Sequence, residues 1–437
     1  MNASQETARR AATRAPVRIG LIGAGEMGTD IVTQVGLMPG LEIAVLAEVR
    51  GEAAWAALDL AGPTVRDRAV ACDNRGAAED AIRAGRTAVT TDADIACTAA
   101  GVDVIIDATG NPGVGAQLSM QAIRHGKHVV MMNVEADVTV GAMLAEEARA
   151  AGVGYSLGAG DEPSSTMEII NFARSLGYPI VAAGKGKNNP LRFDARPVEY
   201  EEEARRRHMN PRMLVEFVDG SKTMIEMCAI ANATGLVPDR PGMHGPAAGP
   251  EELARRLVPA PAGGLLSREG VVDYSVGKGI APGVFVVIRA PHPRIRERLH
   301  DLKVIGHDDY FTFIRPYHLT SLEVPLTAAA LVLRGEPHMV PMANPVAECG
   351  AVAKEPLAPG VRLGKIGEDH YRGWLTTAEH ARRERLLPMG LAERAVVTAP
   401  IAPGGWLTYD NCRVDETMEI VRLRRMQDAR LSRLAAE

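Results

Sequence analysis

The sequence predicts an α/β chain, on three observations. A short apolar segment, Val17–Ile22, runs straight into a glycine-rich turn and then a helical pattern. Apolar strands and helical patterns follow one another as far as Leu157, as in a parallel sheet wound by helices. After Pro341 and Pro345 the pattern changes to short strands with Pro-Gly turns. Together these predict an N-terminal Rossmann dinucleotide-binding domain over 17–157, a central α+β catalytic domain over 158–340 and a small β-rich domain over 341–437, preceded by a flexible tail at 1–16.

Composition excludes several classes. Lys and Arg total 49 against 54 Asp and Glu, a net charge of −5 at pH 7. A nucleic-acid binder needs a basic face, so none is expected as a partner. Hydrophobic content of 46% and charged content of 24% exclude bulk disorder. No apolar run reaches the ~18 residues of a membrane helix, so no membrane partner is expected. The cysteines Cys72, Cys97, Cys228, Cys349 and Cys412 are widely spaced and include no CxxC pair. That argues against a disulfide framework or a zinc site and for a reducing, cytoplasmic setting. Residues 1–16 are rich in Ala, Arg and Thr, with Glu6 their one acid and no apolar core of a secretory signal. A loose tail is the plain reading and an Arg-rich transit segment the other.

The first strand feeds Gly23-Ala24-Gly25-Glu26-Met27-Gly28. Gly23 permits the tight turn, Gly25 lets a pyrophosphate approach the backbone, and Gly28 lets helix and strand pack closely. The helix behind them, with Met27, Ile31 and Val35 on one face, offers free N–H groups to phosphate. The second strand, Leu41–Ala47, ends at Glu48, twenty residues past Gly28. An acid there bonds ribose hydroxyls and favours NAD(H), whereas nearby Arg50 can pair with the 2′-phosphate of NADP(H). Both cofactor forms stay open. Val102–Ile106 is a buried parallel strand, and its loop carries Thr109 and Gly110, at the place that borders a nicotinamide. Lys127–Met132 is the next strand. Asn133 and Glu135 follow it as further cofactor candidates, and Asp137 is expected to cap the helix beyond.

In the middle of the chain, Val153–Leu157 leads to Asp161 and Glu162 ahead of a helix expected near Ser164. These acids either cap the helix or bind a hard divalent cation. Lys185 and Lys187 alternate on a strand end in Gly184-Lys185-Gly186-Lys187-Asn188-Asn189-Pro190, so both point to one face. Two like charges there call for an anion between them, and Asn188 and Asn189 add neutral donors and acceptors. This set suits a phosphorylated, polyhydroxylated substrate; a solvated loop is the alternative. Val215–Met227 reads as a hairpin about an Asp-Gly turn, with Lys222 and Glu226 facing a crevice or solvent. His244 reads as a structural histidine in a loop. The aromatic strand Tyr310–Phe313 precedes Arg315, Tyr317 and His318. Arg315 can clamp a phosphate and His318 can carry a proton, or both can be packed structural residues.

Past Pro345, Val352–Gly360 is echoed by Val397–Gly404, each a strand running into a Pro-Gly turn. No acid–base constellation is visible there, so a structural, oligomerising or lid role is expected. Met418–Leu434 reads as a basic amphipathic helix.

The phrases GLIGAGEMGTDIVTQV, VVMMNVEADVT, YSLGAGDEPSS, GKGKNNPL, VEFVDGSKTM, ANATGLVPD, GMHGP and FTFIRPYHLTSLEVPLT resemble the 1-deoxy-D-xylulose 5-phosphate reductoisomerase-like (DRL) family, from Val17 to about Leu431. That family is related to homoserine dehydrogenases and ends in a SAF-type domain. The resemblance implies NADPH-dependent conversion of 1-deoxy-D-xylulose 5-phosphate to 2-C-methyl-D-erythritol 4-phosphate, an early isoprenoid step. It places Arg315 at the phosphate, Lys185, Lys187 and Asn188 at the charged oxygens, and Glu226 or His318 in proton transfer. Asp161 and Glu162 are the ligands available to a magnesium or manganese ion, if one is used. The partners expected are a small phosphorylated sugar and further copies of the chain, as a dimer or tetramer. Two other functions stay open: a dehydrogenase of a homoserine-like or sugar-acid substrate, and a non-catalytic NAD(P)-sensing protein.

Overall fold

A computed structural model describes residues 3–434 except Arg14, Pro190 and His208. The chain forms two compact units. The first comprises the chain up to Ser164, Leu319–Ala343 and the segment from Leu423. The second comprises Ser165–His318 and Asn344–Arg422. The segment expected as a third domain, 341–437, is thus divided between the two, and Leu319–Ala343 leaves the central domain for the first unit.

The first unit is built on a seven-stranded sheet. Its strands are β1 (Val17–Ile22), β2 (Leu41–Ala47), β3 (Ala69–Ala71), β4 (Thr87–Thr90), β5 (Val104–Asp107), β6 (His128–Met131) and β7 (Tyr155–Leu157), in the order β3-β4-β2-β1-β5-β6-β7. Every pairing in it is parallel. The order reverses direction at β1, which places a ligand crevice at the C-terminal ends of β1 and β5. Strands buried on both faces need near-continuous apolar runs, as Val104–Ile106 and Val129–Met131 supply. Helix Val324–Arg334 completes the layer, with Val324, Ala328, Ala329 and Leu331 in one core with Ile19, Leu21 and Ile106.

Two expectations fail here. The tail contains a helix, Ala3–Ala12, because its Ala-rich run has high helix propensity and Arg9 pairs with Glu6 at 2.6 Å, one turn away. The apolar stripe of the helix Glu26–Gly36 starts at Ile31, since Met27 is 36% exposed.

The second unit carries a six-stranded sheet: β8 (Ile180–Gly186), β9 (Val237–Pro238), β10 (Val271–Ser275), β11 (Val284–Arg289), β12 (Gly306–His307) and β13 (Tyr310–Arg315), ordered β12-β13-β11-β8-β10-β9. The predicted hairpin over 215–227 is instead two helices, Pro211–Val218 and Ser221–Thr234. Asn210 caps the first through a 2.9 Å bond from the Arg212 N–H, with Pro211 at its first turn. Gly220, at φ +87°, makes the sharp left-handed joint to the second. Short apolar runs do not separate strand from helix, and an Asp-Gly pair serves either turn.

Two further strands, β14 (Ala347–Ala353) and β15 (Tyr371–Thr377), pair antiparallel in the same unit. The two echoed Pro-Gly phrases pair with each other, with reciprocal bonds between Leu357 and Ile401 at 2.9 and 3.0 Å. Among the described residues no helix is long and apolar enough to cross a membrane.

Candidate functional site

In the first unit, β1 delivers the chain to Gly23, at φ +102°, where a Cβ would stand 2.6 Å from the Ala108 carbonyl oxygen. A Cβ at Gly28 would overlap the Gly23 carbonyl. A Cβ on Gly25 would meet no described atom beyond its chain neighbours within 4 Å, so the backbone is open to a pyrophosphate where the helix Glu26–Gly36 begins. Glu26 and Met27 lie exposed in that first turn.

Glu48 is buried at the end of β2, and its carboxylate accepts the Ala24 N–H at 2.9 Å and the Arg50 N–H at 3.1 Å. The Arg50 guanidinium is 3.5 Å away and largely exposed. Glu48 therefore holds the glycine loop itself, a role its spacing did not reveal. At the end of β5, the Asp107 carboxylate accepts the Thr109 N–H at 3.0 Å, and burial pushes its pKa up. Thr109 is half-buried and Gly110 exposed at φ +63°.

Asn133 caps the helix Val134–Ala150 through the Ala136 N–H at 3.1 Å and donates to the Asn111 carbonyl at 2.7 Å, tying two strand ends together. Glu135 is buried in the same first turn. Asp137, expected as the cap, lies one turn into the helix. There it is buried and accepts a 2.8 Å bond from the Tyr155 hydroxyl, with its pKa pushed up by burial to about 7. Asp161 and Glu162 stand half-buried at the start of the helix Glu162–Ser175, two residues ahead of the expected Ser164.

In the second unit, the strand end of β8 is a crowded place. Cβ atoms at Gly184 and Gly186 would overlap the backbone of Asp273 and Ala281, which explains the alternating glycines. Lys185 and Lys187 both reach the helical pair that replaced the hairpin. Lys185 forms a buried ion pair with Glu226, which is 1% exposed. Lys187 donates to the Phe217 carbonyl at 2.5 Å; burial, then the charge of Lys185, lowers its pKa to about 8. Asn188 is exposed, Asn189 half-buried, and Pro190 lies outside the described residues. Lys222, half-buried, shares a helix face with Glu226 four residues on.

Two cations escaped the sequence reading. Lys354, just past β14, donates to the Asp219 carboxylate at 3.0 Å, both side chains being almost wholly buried. Arg372, on β15, lies opposite Val352 and so on the same face as Lys354. It is buried, and Asp219 is its electrostatic counterweight. The one sequence signal was a lone Lys just past one short strand and a lone Arg on the other. The segment 341–437 thus sends two cations to the neighbourhood of Asp219.

Arg315, at the end of β13, bonds Glu168 at 2.9 Å and Ser165 at 3.1 Å, with its guanidinium 5.2 Å from the Tyr317 ring centre. His318 is half-buried beyond it. His244, read as structural, bonds Asp239 at 2.9 Å, and Asp239 also accepts from Ser267.

Comparisons with known proteins agree with both halves. Residues 23–157 match the NAD-binding domain of homoserine dehydrogenase, and residues 160–324 match the catalytic domain of oxidoreductase DRL. The fold is similar to that of a probable dehydrogenase from Thermotoga maritima (15% identity, 73% of this chain and 90% of that one, TM-score 0.41). It is similar also to a myo-inositol dehydrogenase from Corynebacterium glutamicum (12%, 73% and 89%, TM-score 0.41). DOX-P reductoisomerase in complex with magnesium matches over 49% of this chain and 57% of its own (16%, TM-score 0.34). A comparison with curated proteins gave no match. The chain is an NAD(P)-dependent oxidoreductase with a homoserine dehydrogenase-like nucleotide domain.

Proposed function

We propose that the reaction is the reductive isomerisation of 1-deoxy-D-xylulose 5-phosphate to 2-C-methyl-D-erythritol 4-phosphate, with NADP(H) or NAD(H) as the nicotinamide. One observation carries this reading. Lys185, Lys187, Lys354 and Arg372 are all buried, Lys185 paired with Glu226 and Lys354 with Asp219, and among the described residues no carboxylate lies at ion-pair distance from Lys187 or Arg372. Unmatched buried charge is costly, so such a cluster suits an anionic substrate that completes it. A phosphorylated ketose meets that requirement, and a neutral polyol does not.

The rearrangement breaks and remakes a carbon–carbon bond beside a carbonyl, then reduces the aldehyde formed. The nicotinamide supplies the hydride when bound. Lys187, able to be charged or neutral near neutral pH, holds the oxygen on which negative charge develops and gives it a proton. The carboxylate of Glu226 takes the hydroxyl proton, with Lys185 beside it to balance the charge. Adjacent hard oxygen donors make Asp161 and Glu162 the residues that would hold a magnesium or manganese ion, and such an ion would supply Lewis-acid polarisation of a carbonyl.

The test is NAD(P)H oxidation with 1-deoxy-D-xylulose 5-phosphate and with its unphosphorylated form, beside NAD(P)+ reduction with homoserine and with a sugar acid. Turnover of the phosphosugar alone supports the proposal. Equal turnover without the phosphate, or turnover of homoserine or the sugar acid, replaces it with the plain dehydrogenase.

A further inference from the structure

We infer that Arg372 is the clamp for the substrate's phosphoryl group, an anion site built by the chain's C-terminal segment; this rests on the phosphosugar reading of the same cluster. Arg372 is 8% exposed. Its guanidinium carbon lies 4.3 Å from the ring centres of both Phe193 and Trp374. The two rings meet edge-to-face at 5.2 Å and 87°. Trp374 is held in turn against Gly242, where a Cβ would overlap the indole. The guanidinium is thus held in place by contacts with two aromatic rings.

The N–H edge of the guanidinium is poorly used within the protein. Among the described residues its hydrogen bond is to the Gly373 carbonyl, at 3.5 Å, a long contact to its own neighbour. Among the described residues no carboxylate lies within ion-pair distance of it. Asp219, the acid that offsets its charge, is already committed to Lys354 at 3.0 Å and to the Ser221 N–H at 2.9 Å. A guanidinium stays charged even when burial lowers its pKa, so the site holds a permanent cation whose bonding groups lack a strong acceptor.

A tetrahedral phosphoryl group supplies two acceptor oxygens in the plane of that fork. Asp219 acts on the charge of Lys187 as well, so the two cations have one acid as a common neighbour. Arg315 is the weaker candidate, because Glu168 and Ser165 already take its N–H groups.

The experiment titrates inorganic phosphate into the full chain, read by tryptophan fluorescence and 31P line width. Arg372→Gln is expected to raise the phosphate Kd tenfold or more with an unchanged far-UV spectrum. Arg372→Lys, which keeps charge but loses the fork, falls between the two. Arg289→Gln, whose residue pairs with Glu269 elsewhere in the fold, stays at the wild-type value. Acetate binds at least tenfold more weakly than phosphate. An unchanged Kd in a folded Arg372→Gln protein overturns the inference. So does the tenfold loss appearing in Arg315→Gln instead, acetate equal to phosphate, or no saturable phosphate binding by the wild type. If Arg372→Gln fails to fold, Phe193→Leu decides, on a partly exposed ring: a several-fold rise supports the clamp and no change overturns it. Phosphate binding needs no turnover. Loss of binding in Arg372→Gln without phosphosugar activity in the wild type overturns only the proposed reaction. Phosphosugar turnover whose KM ignores Arg372→Gln overturns only the clamp.

Discussion

Lys185 and Arg315 stand level on one sheet, both in register with Val284, Lys185 from β8 on one side and Arg315 from β13 on the other. Two strand spacings separate their backbones by about 10 Å, and residues in register share a face. Each has its own carboxylate on a helix of the same unit, Glu226 for Lys185 and Glu168 for Arg315. The two cations differ in setting, since the Lys185–Glu226 pair is buried and Glu168 is half exposed. Energetic consequences therefore concentrate at Lys185.

Removing one partner of a buried pair leaves the other charge uncompensated. Lys185→Met is expected to cost about 3–5 kcal/mol of stability in urea denaturation, while Lys185→Met with Glu226→Leu recovers most of it. A single variant as stable as the wild type would show that water reaches this pair.

The pH dependence of stability should carry a signature of Lys187. Its folded pKa is about 8 against an ordinary 10.5, lowered by burial and then by Lys185. Below pH 8 both folded and unfolded states hold the proton, and the burial penalty is present in full. Between pH 8 and 10.5 the unfolded state binds more protons, so stability rises with pH. The difference between the two states corresponds to about 3 kcal/mol. Denaturation at pH 7.5 and 9.5 should show the rise in the wild type and its loss in Lys187→Met.

Asp137 has the opposite sign. Its carboxyl titrates at about 7 in the fold rather than at 3.8. Between these values the folded state binds more protons, so stability falls as pH rises. Asp137→Asn keeps an acceptor for the Tyr155 hydroxyl and carries no charge. It should match the wild type near pH 4 and exceed it at pH 8, by up to about 4 kcal/mol. Equal stability at both pH values would mean the carboxylate is solvated.

At the nucleotide loop, two substitutions of Glu48 separate charge from architecture. Glu48→Gln can still accept the Ala24 N–H and should shift preference toward NADPH over NADH by ~1 kcal/mol, about fivefold. Glu48→Ala loses the acceptor and should weaken both cofactors. Fluorescence titration of NADPH and NADH decides between them. Gly25→Val should lose both cofactors at an unchanged Tm, because nothing lies within 4 Å of its Cβ.

What was legible in the sequence was local. Gly23, Gly25 and Gly28 declare themselves because backbone sterics act within a few residues, and β1, β2, β5 and β6 because a strand buried on both faces must be apolar along its length. The alternation of Lys185 and Lys187 was enough to assign them one face. Val215–Met227 was not legible as helices, because its apolar spacing suits either period and packing on a sheet made the choice.

Only the tertiary structure decided which charges meet. Lys354 and Arg372 lie more than a hundred residues from Asp219, and nothing in their local pattern names it. The pairing of β14 with β15 sets them on one face, and burial there turns ordinary surface residue types into neighbouring buried cations. Charge balance in a buried site is a sum over contacts, and contacts between distant segments exist only once the chain has folded.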